Sequence, residues 1–431
     1  MDIDLTFILI TLAKIIGFTF VLTLPIIAYS VYAERRFSAV IQDRVGPNRT
    51  GIPLTLFGFK KDIPLQGLLQ PLADGLKFIL KEDFVPAHVN KFFFWIAPAL
   101  TMVPALLTLG VIPFGSELFG EKLVIADLSV GPLFIFAIAS LSVYGITFAG
   151  WASNNKYSFF GGVRSCAQMI SYEIALGLSI IPVLMIFGEL NLTKIVEWQA
   201  NNGWLLLPFT WENGAFQFGL YEFGGAFGAF LLIPLVISFF IFTISIFAET
   251  NRMPFDLPEC ETELVGGYHT EYSSMKFALF FLGEYAAMIV GSALIVTLFF
   301  GGWSLGFGLD ELLKNPDGSW VAYAGLIHLG AFLTKVVAFI LFFILVRWTV
   351  PRFRYDQLMK LGWVVFFELA LINILVAALI IAAPSMLERG EGVAVAALAA
   401  GIVIFSVVMV MIAKSLDKKT ESRIKNQELA N

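Results

Sequence analysis

Two cysteines, Cys166 and Cys260, and three histidines, His88, His269 and His328, are all that 431 residues offer as thiolate or imidazole ligands. They are scattered, with no C-x-x-C pair and no His/Cys cluster, which excludes an iron–sulfur, zinc or haem centre held by this chain. If electrons move nearby, another chain carries them. Charge is equally scarce: only 14% of residues are Asp, Glu, Lys or Arg, against about 25% in soluble domains. The formal net charge of −5 gives no support for nucleic-acid binding. A basic segment ahead of the first apolar run is missing too. MDIDLTFILITLAKIIGF continues apolar to about Ala33, as an uncleaved first span does and a signal peptide does not. There is no convincing internal repeat, low-complexity tract or second soluble domain.

What fills the chain instead is apolar: 58% of residues, with a mean hydropathy of +0.82. The runs mostly exceed the ~20 residues that cross a hydrocarbon core as a helix, which favours helices over the alternating pattern of a barrel. The expected fold is an all-α polytopic membrane protein with about nine spans, near residues 5–33, 92–115, 132–153, 163–189, 227–249, 273–300, 323–347, 357–383 and 392–413. Lys and Arg set the orientation. If the N-terminus lies outside, the outer connections carry one cation each, Lys122, Lys194, Lys314 and Arg389. Lys14 and Lys335 lie within spans, and the other cations all fall inside or at the inner membrane face. The reading is N-out, C-in. The outer connections are expected to be partly structured at best, and the polar tail KSLDKKTESRIKNQELAN frayed.

Between the first two spans, PLQGLLQPLADGLKFILKED places Leu65, Leu68, Leu69, Leu72, Leu76, Ile79 and Leu80 at helical spacing, with Gln66, Gln70, Asp74, Lys77 and Lys81 opposite. The segment is too short to span and too one-sided to be buried all round. An amphipathic interfacial helix follows, either lying along the bilayer or packed on a partner.

The acidity is local. Glu249 to Glu271, ETNRMPFDLPECETELVGGYHTE, sets six carboxylates, Glu249, Asp256, Glu259, Glu261, Glu263 and Glu271, against Arg252 alone, so the rest of the chain balances to zero. A charge run is usually a solvated loop, but this one has companions inside the bilayer. Glu173 falls within VRSCAQMISYEIALGLSIIPVL and Glu284 within FALFFLGEYAAMIVGSALIV. A carboxylate at the centre of a span costs about 2.5 to 3.5 kcal/mol on insertion scales, and such residues usually mark proton relays or ion paths. Each glutamate alone could be no more than a structural hydrogen-bonding group; the pair together with the acidic connection points to a proton path.

Pro254 and Pro258 bias the residues before them toward extended backbone, so this connection is not expected to be one helix. On an extended backbone Glu259, Glu261 and Glu263 would share a side and titrate as a group. Lys335, within FLTKVVAFILFF, could pair with an intramembrane carboxylate, as could Glu368. Juxtamembrane cations such as Arg347, Arg352 and Arg354 commonly just satisfy orientation and lipid headgroups.

Five blocks, AERRFSAVIQDRVGPNRTG, LLQPLADGLKFILKEDFVP, GWASNNKYSFFGGVRSCAQMISYE, AETNRMPFDLPECETELVGGYHTEYSSMKFALFFLGEY and VRWTVPRFRYDQLMKLGW, resemble in order the signatures of the H subunit of bacterial NADH-quinone oxidoreductase, respiratory complex I, and its mitochondrial counterpart, NADH dehydrogenase subunit 1. The likeness covers about residues 30 to 363. It implies a subunit of the plasma (inner) membrane, contacting lipid, peripheral-arm quinone-site subunits and membrane-arm neighbours. It also implies that a quinone substrate, ubiquinone or menaquinone, reaches its chamber through a passage formed largely by this subunit. Flavin, iron–sulfur clusters and metals would sit on other chains. By motif, Asp256, Glu259, Glu261, Glu263 and Glu271 resemble the chamber-side acidic residues. Glu173, Glu249 and Glu284 resemble the buried acidic path, to which Lys335 is added. Glu34, Arg35, Arg36, Asp43, Arg44 and Arg164 resemble the polar residues of the chamber and its entrance.

The sequence departs from that pattern in three places. IPLTLFGFKKDI, residues 52–63, resembles an insertion, GWVVFFE lacks the expected Lys and Pro, and the ninth span with its basic tail (384–431) exceeds an eight-span core placed within 1–383. The homologous subunit of a membrane-bound hydrogenase or of an F420H2- or ferredoxin-linked complex shares the resemblance. A stand-alone proton-coupled transporter is the rival of another class.

Overall fold

The computed structural model describes residues 5–52, 63–212, 215–220, 225–258, 261–315, 317, 319–389, 392, 395–396, 398–409 and 411. The first helix, α1 (Leu5–Ile41), runs unbroken through an internal π-helical stretch at Ile16–Thr23 and extends past the apolar run that announces it. Strands β1 (Gly51–Ile52) and β2 (Ile63–Pro64) then pair antiparallel, Gly51 opposite Pro64. The ends of the residue 52–63 segment therefore meet, while most of that segment lies outside the described residues. The amphipathic helix expected between the first two spans is α2 (Gln70–Leu80).

Next come α3 (Lys91–Val111), the two-residue strands β3 (Glu117–Leu118) and β4 (Glu121–Lys122), α4 (Gly131–Ala152) and α5 (Lys156–Phe187). The last of these begins seven residues before the expected span because the Asn155 side chain accepts a hydrogen bond from the Tyr157 N–H, an N-cap. It stops at Gly188, whose φ of 63° closes the final turn. The connection that follows is more ordered than its composition suggests. Helix α6 (Leu192–Asn202), capped by Asn191, leads into a hairpin of β5 (Phe209–Glu212) and β6 (Ala215–Phe218).

Helix α7 (Gly228–Glu249) delivers the chain to the acidic connection, whose described residues include a short helical turn, α8 (Glu261–Leu264), and a 3-10 turn at Gly267–His269. Three long helices follow: α9 (Ser274–Phe299), α10 (Ala324–Thr349) and α11 (Tyr355–Leu387). Among the described residues eight helices are long and apolar enough to cross a membrane; α9 is the most enclosed of them and α1 the least. Of the expected ninth span, the described residues include the apolar helix α12 (Leu398–Met409), and the rest of that span lies largely outside them.

Candidate functional site

The acidic connection is held against α5 by a polar lock. Nε2 of the fully buried Gln168 lies 2.8 Å from the Ala248 carbonyl, 2.9 Å from that of Phe255 and 3.1 Å from Oδ1 of Asn251. Asn251 in turn donates to Ser165 at 3.1 Å. Closer to the end of the connection, a Cβ on Gly161 would sit 2.7 Å from the Cα of Gly267. The backbones touch there, and only glycine permits it.

From this anchored segment Arg252 reaches inward. Its guanidinium is buried, with Nη1 2.9 Å from Oε2 of Glu34 on α1 and Nε 2.6 Å from Oε1 of Glu284 on α9. It also lies 4.0 Å above the ring of Tyr285, whose hydroxyl donates to Glu34. Arg347 of α10 contacts the other Glu34 oxygen. Two anions and two cations thus share one cluster, buried but for the partly exposed Arg347, and burial is tolerated because each charge has an opposite neighbour.

Two spaces meet at this cluster from different sides. The first is interior, about 80 Å³, lined by Glu249, Asn251 and Glu284 together with Thr101, Thr108 and Ser142. It is large and polar enough for a few water molecules. Glu173 of α5 is half-buried and is not among the residues lining this space. The second is a cleft of about 410 Å³ between α1, α2 and α9, with Ile27, Phe78 and Leu282 on its apolar walls. It shares Val31, Arg35, Phe281 and Tyr285 with a further pocket of about 380 Å³, which Glu34, Gln42, Arg44 and Arg347 make polar. An apolar cleft therefore leads into a polar chamber whose inner wall is the Arg252 cluster.

The other expected residues fall around this frame. Arg35 pairs with Asp74 at 2.7 Å where the cleft and the chamber join. Nη1 of Arg36 lies 3.4 Å from the Pro47 carbonyl. Asp43 and Arg44 are exposed, Asp43 with a φ of 53°. Asp256 meets Arg352 at 3.2 Å, Glu271 accepts from Asn155 at 2.7 Å, and Arg164 pairs with Glu263 at 2.7 Å.

Two readings change. Glu261 and Glu263 stand on a helical turn rather than extended backbone. Pro258 constrains only the residue before it and leaves the chain free to coil afterwards. Glu259 lies outside the described residues. Among the described residues Lys335 meets no carboxylate directly: its ammonium lies 2.7, 3.0 and 2.6 Å from the carbonyls of Phe300, Gly302 and Ser304, at the far end of α9. A helix C-terminus gathers unpaired carbonyls and partial negative charge, which suits a cation with three donors. Trp204 covers it, ring centroid 4.2 Å away.

The same end holds a second buried network. His328, wholly buried, lies between Ser116 at 2.7 Å and Asp310 at 3.2 Å, while Asp310 accepts from Ser304 at 2.5 Å and from the Leu305 N–H at 2.9 Å. Burial pushes the Asp310 carboxyl up, but the hydrogen bonds from His328, Ser304 and Leu305 outweigh it and hold the group below the usual carboxylate range.

Sequence reading undervalued three members of the Arg252 cluster. Arg252 figured only as the lone cation of an acidic run, Arg347 as a headgroup contact, and Tyr285 not at all. The one local signal was Tyr285 following Glu284 directly.

Residues 13–378 match the family model described as NADH dehydrogenase. The chain is 45% identical over 366 residues to an H subunit of NADH-quinone oxidoreductase from Cytophaga hutchinsonii, covering 84% of this chain and 94% of that one. It is 46% identical over 349 residues to the NADH-quinone oxidoreductase H subunit of Salinibacter ruber, covering 81% and 90%. The corresponding protein of Flavobacterium johnsoniae is 44% identical over 371 residues, covering 85% and 94%.

Proposed function

The chain belongs to the NADH dehydrogenase family, and on that footing we propose that it is the membrane subunit of a bacterial proton-translocating NADH-quinone oxidoreductase that admits quinone from the bilayer and couples its reduction to proton movement. It spans the inner membrane N-out and C-in, and the redox centres belong to peripheral-arm partners. The observation that carries the reading is Arg252, shared between Glu34 on the chamber side and Glu284 on the cavity side.

The cleft suits a prenylated quinone. A flexible apolar tail loses nothing by lying between Ile27, Phe78 and Leu282, while the polar headgroup requires donors and charges, which begin at Arg35. Ubiquinone and menaquinone share that chemistry. Reduction of a quinone takes two electrons, delivered by the peripheral-arm partners, and two protons; protons drawn from side chains of the chamber leave those groups more negative, so the charge beside Glu34, Tyr285 and Arg347 changes during each turnover. A unit charge about 4 Å away contributes on the order of 4 kcal/mol at an effective dielectric of 20. Arg252 is contested by both glutamates. When its hold on Glu34 tightens its hold on Glu284 loosens, and Glu284 then exchanges a proton with the water-sized cavity and with Glu249 and Glu173 beyond. The acidic connection, Asp256 to Glu271, carries the partner-facing charge on the chamber side. Lys335 stands apart from this route and holds the end of α9.

The test is the ratio of protons moved to NADH oxidised in the assembled complex. Glu249→Gln and Glu284→Gln are expected to assemble and retain quinone reduction while losing most of the pumping. Normal assembly with full pumping in both variants would overturn the coupling.

A further inference from the structure

We propose that Lys276, with Asp83 and Ser274, is a positioning residue for the quinone substrate: it clasps the C-terminal end of α2 to α9 and so sets the bore of the cleft. The proposal rests on the reading of that cleft as the quinone passage.

The apolar residues Leu72, Leu76 and Leu80 of α2 face outward, and the opposite face, with Pro71, Asp74, Gly75, Phe78 and Ile79, lines the cleft. The helix is therefore a wall with empty space behind it, held near its two ends. At its N-terminal end Tyr32 donates to the Gln66 carbonyl at 2.8 Å, and Arg35 pairs with Asp74 at 2.7 Å. Past its C-terminal end the ammonium of Lys276 lies 2.9 and 2.8 Å from the two Asp83 oxygens. Lys276 itself is 4% exposed and sits 3.7 Å above the Trp95 ring, so the ion pair is largely removed from water on one side and is more than a surface contact. The Ser274 hydroxyl lies 2.8 Å from the Phe78 carbonyl and 2.9 Å from that of Lys81, and the Phe84 N–H donates to Ser273. Ser274 adopts a φ of 54° to do this, a conformation that costs a non-glycine residue energy and persists where surrounding contacts hold it.

The clasp residues are interleaved with the lining. Met275 and Phe277 of α9 face the cleft while Ser274 and Lys276 grip α2. Phe94, beside Lys276, also stacks at 4.0 Å on Tyr272, the residue just past the acidic connection. The height of the passage wall is thereby fixed to the segment that carries the acidic residues.

A long-tailed quinone occupies the passage while its headgroup reacts, whereas a short-tailed analogue leaves it empty. Releasing the clasp should therefore weaken binding of the first and spare the second. In the whole complex, Lys276→Met is expected to raise KM for a long-prenyl quinone about tenfold, equivalent to about 1.4 kcal/mol, at unchanged kcat. KM for a short-tailed quinone should stay as it is, and Lys276→Arg should restore the long-tailed value. Asp83→Asn, at a partly exposed site, carries the same prediction if Lys276→Met does not assemble. Equal shifts for both quinones, or none for either, would overturn the proposal. Gly75→Trp separates it from the underlying reading. A Cβ at Gly75 meets nothing within 4 Å, so the indole enters the cleft and should raise KM for the long-tailed quinone. If it does, and Lys276→Met does not, the clasp alone is wrong; if Gly75→Trp also has no effect, the passage reading falls and the clasp with it.

Discussion

The two ends of the helix bundle each bury a charged network, and they are built to opposite purposes. At the end beside the acidic connection, Arg252 is divided between Glu34 and Glu284, and the cluster borders a polar chamber on one side and an interior cavity on the other. At the opposite end Lys335 gives its three donors to three carbonyls, and Asp310 is saturated by His328, Ser304 and Leu305. The space beside that second network is only about 10 Å³, too little to hold more than one water. Buried charge by itself therefore does not mark a working site. What distinguishes the first cluster is a cation contested by two carboxylates, with open volume on both sides, which on the proposed reading a substrate and a proton use. The second is a fastener, joining the β3–β4 hairpin, the loop after α9 and the start of α10.

That contrast predicts the sizes of mutational effects. The largest belongs to Arg252→Met, which leaves two carboxylates facing each other in a buried site. Breaking a buried pair in this way costs about 3–5 kcal/mol, so turnover should fall to background and the yield of assembled complex should drop, both measured on isolated membranes. Lys335→Met should act on stability alone. It strips the hydrogen bonds from three carbonyls, a loss of about 2–4 kcal/mol, read as a lower unfolding temperature with KM for quinone unchanged; a shift in KM would join the two ends functionally and blur the distinction.

The smallest effect is the pH dependence of the fastener. Because Asp310 in the folded protein lies below its ordinary value, its contribution is present above about pH 4, where the unfolded group is ionised. That contribution is lost as pH falls through the lower folded value. Asp310→Asn should flatten this acid limb of the stability profile and leave turnover near neutral pH as it was.

Local pattern made the long helices, the amphipathic α2 and the acidic connection legible in the sequence. Hydropathy and the 3.6-residue period belong to short windows, and prolines 254 and 258 announce a break where they stand. The centre of the site was not legible in the same way. Arg252 and Glu34 are 218 positions apart and Tyr285 and Glu34 are 251 apart; no window spans such pairs, and composition alone made Arg347 one headgroup cation among several. Lys335 was misjudged for a related reason. A lone cation in a span invites a search for a carboxylate, yet the carbonyls at the end of a helix satisfy it as well, and they leave no trace in side-chain composition. The alternation of Glu259, Glu261 and Glu263 was a true pattern with the wrong period, since the chain turns helical at Glu261.

The central claim is that a charge change in the chamber is felt at Glu284 through Arg252. Infrared difference spectra of the assembled complex, taken across quinone reduction and with the Glu284 carboxyl band identified by its loss in Glu284→Gln, test it directly. The band should shift on reduction in the unaltered complex and stay still in Glu34→Gln. A band that never moves, or that moves identically in Glu34→Gln, would contradict the account.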